Sequence, residues 1–287
     1  MPSATLLLAA EPDQVILPTV YDFLSRYGIQ PCDAQEYSIS AGRFARIEWP
    51  VDDQTNQVGA ELELFDKDFS AIARAFSFQY SISFSDAPFR VGLYCPGFNG
   101  SLEQILHRYS PVSDNNMQVV FVIGDHPDLQ ASANRYGIPY YDIQSSEGLM
   151  REAQFLQFIS RHKPDLFGMM PPVENLSASL LEKLPCPVLA VSEAVVPSNV
   201  PGMVFEAKLA GAGVLLASAF LLQADVNQSQ LVLQHAKPVV QKQNKKCDFL
   251  TSGSEQRDLE IEVLVRALAK FTYHKVIVYK QYLYTFD

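Results

Sequence analysis

No apolar run in this chain reaches the roughly 20 residues a helix needs to cross a bilayer. The block Leu209–Leu222 falls short of that length and reads as a core strand pair or buried segment. The N-terminus has no basic stretch before Leu6-Leu7-Leu8 and meets Glu11 and Asp13 early, which argues against a signal peptide. Cysteine is sparse: Cys32, Cys95, Cys186 and Cys247 show neither a CxxC pair nor metal-ligand spacing. They read as free thiols, which sets the expectation of a reducing, cytoplasmic compartment. Positive charge is also in deficit, 22 Lys and Arg against 32 Asp and Glu, for a net charge of −10. Such a chain gains nothing from counterion release on a phosphate backbone, so nucleic acid is not an expected partner. The basic cluster Lys242–Lys246 is too short to reverse this and reads as a solvated loop. Repeats and low-complexity segments are missing too. Gly211-Ala212-Gly213 lacks the third glycine of a dinucleotide fingerprint and precedes its strand, so that reading is rejected.

What remains is an ordinary globular composition, 48% hydrophobic and 19% charged over 287 residues, enough for two domains. Residues 4–10 form an apolar run. Val20, Phe23, Leu24 and Tyr27 then recur at i, i+3, i+4, i+7, one helix face closed by Gly28. A strand is expected at Arg43–Trp49, a helix on Phe69, Ile72, Ala73 and Phe76, and a strand at Gln79–Phe84. These elements are one strand short of a β-α-β-β-α-β order, and they predict a small ferredoxin-like α+β domain over residues 1–85. The Arg43–Trp49 strand is expected to leave an edge that a second copy covers, giving a homo-oligomer, dimer or tetramer.

A second unit, residues 86–287, alternates strands with helices and predicts a mostly parallel, Rossmann-like α/β sheet. Its strands are expected at Arg90–Cys95, Val119–Ile123, Ile138–Ile143 and Asp165–Met170, with helices at Leu129–Tyr136 and Arg151–Arg161. Pro187–Gln234 runs strand, Pro/Gly-broken loop, strand, loop, with polar residues past the strand ends, where open α/β sheets build their sites. A helix with Ile261, Leu264, Val265 and Leu268 on one face and a hairpin-like pair, Lys275–Tyr279 and Tyr282–Phe286, end the chain.

Several ordered stretches resemble one family. They are Pro12-Asp13-Gln14-Val15 with Tyr27-Gly28-Ile29, Gly42-Arg43-Phe44-Ala45-Arg46-Ile47-Glu48, and Asp125-His126-Pro127-Asp128-Leu129 with Tyr136-Gly137-Ile138-Pro139-Tyr140. Arg257-Asp258-Leu259-Glu260 and Lys275–Tyr279 complete the set. Together they are similar to the formyltetrahydrofolate deformylases of one-carbon metabolism, an ACT regulatory domain followed by a formyltransferase domain. The resemblance implies an asparagine, a histidine two residues on and a later aspartate, which polarise the formyl carbonyl and organise water. It puts those roles on Ala190, Ser192 and Asn227. Alanine donates no hydrogen bond, serine does not titrate near neutrality, and asparagine is no base. Loss of one oxyanion donor costs on the order of 3 kcal/mol, and loss of an acid–base group roughly 10²–10⁴ in rate.

The resemblance therefore implies a pseudoenzyme that acts by binding, with Glu193 and His235 as displaced catalytic candidates. The alternative is an active hydrolase of 10-formyltetrahydrofolate, or a repurposed formyl-transfer enzyme, that uses those displaced residues. His126, Asp142 and Asp225 read as surface or core residues, and His107, His162 and His274 lack ligand spacing, so no metal is expected. Candidate ligand contacts are Gly97, Asn99, Gly100 and Ser101, a glycine turn between strand and helix, where backbone N–H groups can meet an anion. Val173 and Leu176 follow from the family's pterin-facing segment, although Pro171-Pro172 removes two N–H donors there. A folate derivative or another small molecule in the cleft is the implied ligand. Ile16 stands where the family has a glycine beside its effector site, and is expected to obstruct an effector.

Overall fold

The computed structural model describes residues 2–51, 58–85, 87–97, 101–109, 116–143, 148–170, 176–192, 213–223, 230–239, 249–280 and 282–286. The chain divides into two compact units, residues 1–88 with 270–287, and residues 89–269. This differs from an expected division at 1–85 and 86–287, because the C-terminal segment returns to the first unit.

In the first unit, β1 (Ser3–Ala10), α1 (Leu17–Arg26), β2 (Asp33–Ile39), β3 (Gly42–Pro50), α2 (Val58–Ala75) and β4 (Gln79–Phe84) follow one another. The sheet is antiparallel, in the order β2-β3-β1-β4. The Arg43–Trp49 stretch is therefore interior, paired to β1 and β2, and is not an edge; the edges are β2 and β4. Strand β2 went unread because its alternation is polar and half-exposed, Asp-Ala-Gln-Glu-Tyr-Ser-Ile.

Side-chain alternation divides the work of β1 and β3 between two faces. Leu6, Leu8, Ala45 and Ile47 pack with Val20, Leu24, Phe65 and Phe69 of the helices. Leu7, Ala9 and Phe44 point the other way and meet Ile277, Tyr279 and Phe286. Those last residues belong to a hairpin of β12 (Val276–Tyr279) and β13 (Tyr282–Thr285). Ile16 is fully buried in the helix-side core, with right-handed helical backbone at φ −88°. Its side chain is thus a core filler and not an outward obstruction. Further along the exposed-facing half of the second face, Arg46 is buried and bridges Asp33 at 3.0 Å and Glu48 at 2.7 Å.

The second unit carries β5 (Phe89–Cys95), α3 (Ser101–Arg108), β6 (Met117–Gly124), α4 (Pro127–Arg135), β7 (Tyr140–Asp142), α5 (Gly148–His162) and β8 (Leu166–Met169). It continues with α6 (Ala178–Leu181), β9 (Val188–Ser192), β10 (Gly213–Leu221), β11 (Gln230–Val239) and α7 (Phe249–Thr272), the last turn of which lies in the first unit. The sheet order is β11-β10-β9-β8-β5-β6-β7, parallel from β9 through β7 and antiparallel at β10 and β11. The chain leaves β5 toward β6 and β7, then returns past it to β8, which puts the switch of direction at β5. Among the described residues no helix is long and apolar enough to cross a membrane.

Candidate functional site

The site is built from the carboxyl ends of the parallel strands, where turns leave backbone and side chains free of the ladder. At the β9 end, Ala190 pairs with Met169 of β8 and with Phe220 of β10. It is fully buried and belongs to an apolar cluster with Tyr94, Phe155, Phe167, Met169 and Phe220. Leu176, one of the expected ligand contacts, packs against the same cluster. An acyl oxygen directed at Ala190 would meet methyl and ring carbons.

Ser192 lies two residues on, so it shares the Ala190 face, and it stands opposite Ser218 of β10. Ser218 is buried and in turn faces Gln234 of β11. Ser192 and Ser218 carry hydroxyls, which do not titrate near neutrality. His235 pairs with Ala217, one step out of phase with Ser218, and so takes the opposite face of the sheet. There its Nδ1 lies 3.4 Å from Nη1 of Arg266 on α7. The fold thus brings Ala190, Ser192 and Leu176 to one side and sends His235 to the other. Glu193, Asn227 and Val173 lie outside the described residues.

At the β5 end, Gly97 has φ +68°, a left-handed conformation that glycine adopts without steric cost. Its N–H donates to Oδ1 of Asp125 at 2.6 Å. Asp125 follows β6, and the pairing Cys95↔Gly124 explains how the two meet. The amide expected to face an anion is therefore bonded to one of the chain's own carboxylates. Asn99 and Gly100 lie outside the described residues, and Ser101 opens α3. The sequence marks Asp125 only within the family-like stretch and not as a site residue, because it is the parallel pairing of β5 with β6 that brings it to the turn.

Burial shifts several ionisable groups of this unit. Burial pushes the Tyr140 hydroxyl up to about 12, with Asp142 and Asp125 adding to the rise, and the hydroxyl donates to the His126 carbonyl at 3.0 Å. Burial also raises Cys95 far above the ordinary thiol range and, with Asp165, raises Cys186 to about 12. Neither thiol supplies a thiolate nucleophile at neutral pH. His162 is lowered by burial and by Arg161 and Arg90, and its Nε2 lies 2.6 Å from the Tyr141 hydroxyl. Glu152 accepts from both the N–H and the hydroxyl of Ser177 at 2.7 Å, which fixes the start of α6 just past Leu176. Among the described residues no cluster of three or more His, Cys, Asp or Glu could hold a metal.

No family model matches the chain. It is 24% identical over 283 residues to a formyltetrahydrofolate deformylase from Synechocystis, with 96% of each chain covered. It is 25% identical over 278 residues to a formyltetrahydrofolate deformylase from Mycobacterium tuberculosis H37Rv, covering 96% of this chain and 87% of the other. The crystal structure of a formyltetrahydrofolate deformylase from Pseudomonas syringae superposes with a TM-score of 0.83 at 23% identity, over 100% of this chain and 95% of that one. The fold, a Rossmann-like formyltransferase domain with an N-terminal ferredoxin-like part, is that of the deformylase structure. The chain is thus similar over nearly its whole length to formyltetrahydrofolate deformylases in sequence and shares the fold of a solved one.

Proposed function

We propose that this chain is a deformylase relative that has lost formyl hydrolysis and acts by binding, as a regulatory or assembly subunit or as the holder of a small molecule. The observation that carries this reading is Ala190, fully buried among Met169, Phe220 and Phe155. The place where the family resemblance requires an amide donor is apolar and closed. A folate derivative is the first ligand to test, because the fold is the one that the relatives share.

Hydrolysis of 10-formyltetrahydrofolate is expected to run at least about a thousandfold below that of an active relative, given the loss of a donor and an acid–base group. The assay is formate release by the purified chain, paired with a native mass spectrum of whatever it carries. Turnover that survives both Glu193→Gln and His235→Ala would overturn this reading.

The chain is further proposed to pair with copies of itself along β4. That edge strand reads Gln-Tyr-Ser-Ile-Ser-Phe, without a charge, a proline or a bulge to protect it. The opposite edge, β2, carries Asp33 and Glu36. An isologous pairing centred on Ile82 sets Tyr80 against Phe84 and Ser81 against Ser83. Light scattering is expected to give a dimer or tetramer, and a 32.0 kDa species at micromolar concentration would count against it. The free thiols among the described residues, Cys32, Cys95 and Cys186, fit a reducing compartment such as the cytoplasm.

A further inference from the structure

We propose that the C-terminal hairpin is a strap that the N-terminal sheet requires to stay folded, so that the first unit is completed only once the last residues of the chain are in place. A two-stranded hairpin alone is marginal in water, and among the described residues β12–β13 pairs with no third strand. Its order comes from the sheet beneath it. The Phe44 and Tyr284 rings stack with centroids 5.0 Å apart and planes at 6°. Tyr37 of β2 contacts Tyr284 and Phe286, with centroids 5.2 and 6.0 Å away. Ile277, Tyr279 and Phe286 bury Leu7, Ala9 and Phe44 in return.

Polar bonds pin the strap at separate points. Gln79 of β4 donates to the Val278 carbonyl at 2.9 Å, across 199 positions of sequence. The Tyr279 hydroxyl and the Lys280 ammonium both donate to Glu11, just past β1, at 3.2 and 2.6 Å. Lys270 Nζ, on α7, donates to the Phe286 carbonyl at 3.2 Å and ties β13 to that helix. The contacts bind the ends of the chain together, so the entropy of closing a very long loop must be met before any of them forms. Until then Leu7, Ala9 and Phe44 present an open apolar face.

The test is hydrogen exchange on the full chain, on Phe286→Ala and on a chain ending at Tyr273, followed residue by residue. In Phe286→Ala, amide protection in β1 and β3 is expected to fall by at least about a hundredfold, while β5, β6 and β8 keep theirs. In the shortened chain, protection in β1 and β3 is expected to vanish and the dye-binding apolar surface to grow. Unchanged β1 and β3 protection in either variant would overturn the proposal. So would an equal loss in β5, β6 and β8, since the hairpin would then serve the whole chain and not the first unit. Should the shortened chain fail to fold, the Phe286→Ala pattern decides alone.

Discussion

The four-stranded sheet is covered on both faces by its own chain, whereas the seven-stranded sheet has at its β9–β10 end the buried Ala190 and Phe220 beside Ser192 and Ser218. On the first sheet, neighbouring residues of β1 and β3 divide cleanly: Leu6 and Ile47 go toward the helices, Leu7 and Phe44 toward the hairpin. Charge on that sheet is placed where partners wait, as with Arg46 between Asp33 and Glu48. On the second sheet, Ala190 and Phe220 pair across β9 and β10 inside an apolar cluster. The difference teaches that side chains in the first unit are explained by packing and ion pairing, whereas the row around Ala190 in the second is explained by apolar packing. Three experiments press on that contrast.

The largest effect is expected from Phe44→Ala. This ring is fully buried and stacked on Tyr284, and its removal should cost about 3–5 kcal/mol, the range for deleting a core aromatic. Denaturant unfolding should show the loss in the first unit. A cost below about 1 kcal/mol would mean that the second face of the sheet collapses around the gap or was never sealed.

A smaller effect is expected from Arg46→Met, which keeps the stem and removes the charge. Asp33 is 45% exposed and Glu48 27%, so water meets part of the loss and the cost should be about 2 kcal/mol, the range for charged hydrogen bonds. Acid titration sharpens the test. Burial alone would raise Glu48, but hydrogen bonds from Arg46 and Ser3 outweigh it and hold the carboxyl below its ordinary value. A depressed folded-state pKa contributes stability that is complete above the unfolded value and is lost as pH falls through the folded one. Arg46→Met should therefore weaken the acid-side loss of stability. An unaltered acid limb would show that Glu48 is held by Ser3 and its surroundings and not by the guanidinium.

Much of this architecture was legible in the sequence, and the gaps have physical causes. Periodicity gave α1 because Val20, Phe23 and Leu24 all face one core, and an apolar run gave β1 because both of its faces are buried. It missed β2, where only partial burial supports the strand, and it placed the edge at β3 because pairing order is not written in a single strand's pattern. The hairpin was visible as two short strands, but its docking on β1 and β3 depends on contacts nearly the full chain apart. At the site, the identities of Ala190 and Ser192 at the end of β9 could be read directly. That Ala190 is sealed, that His235 faces Arg266, and that Asp125 takes the Gly97 amide are consequences of register, visible only once the strands are paired.

The smallest change in activity, none, is expected from restoring the family residues as Ala190→Asn, Ser192→His and Asn227→Asp together. If only the reacting groups had been exchanged, this variant should regain deformylation. The surroundings argue otherwise. Ala190 has no exposed surface and touches the cluster of Tyr94, Phe155, Met169 and Phe220, so an asparagine there would enter an apolar space. An amide buried without partners costs about 1–3 kcal/mol, and relief requires the neighbouring strands to shift. A formyl carbonyl misplaced by about 1 Å already forfeits roughly 10² in rate, so a shifted site would not recover the chemistry. The triple variant is therefore expected to unfold at lower denaturant than the unaltered chain and to release no formate above background. Calorimetric titration of a folate analogue into both proteins separates the causes. Rescued turnover together with micromolar folate binding would show that the apolar packing at Ala190 yields readily and that only three side chains had silenced the site.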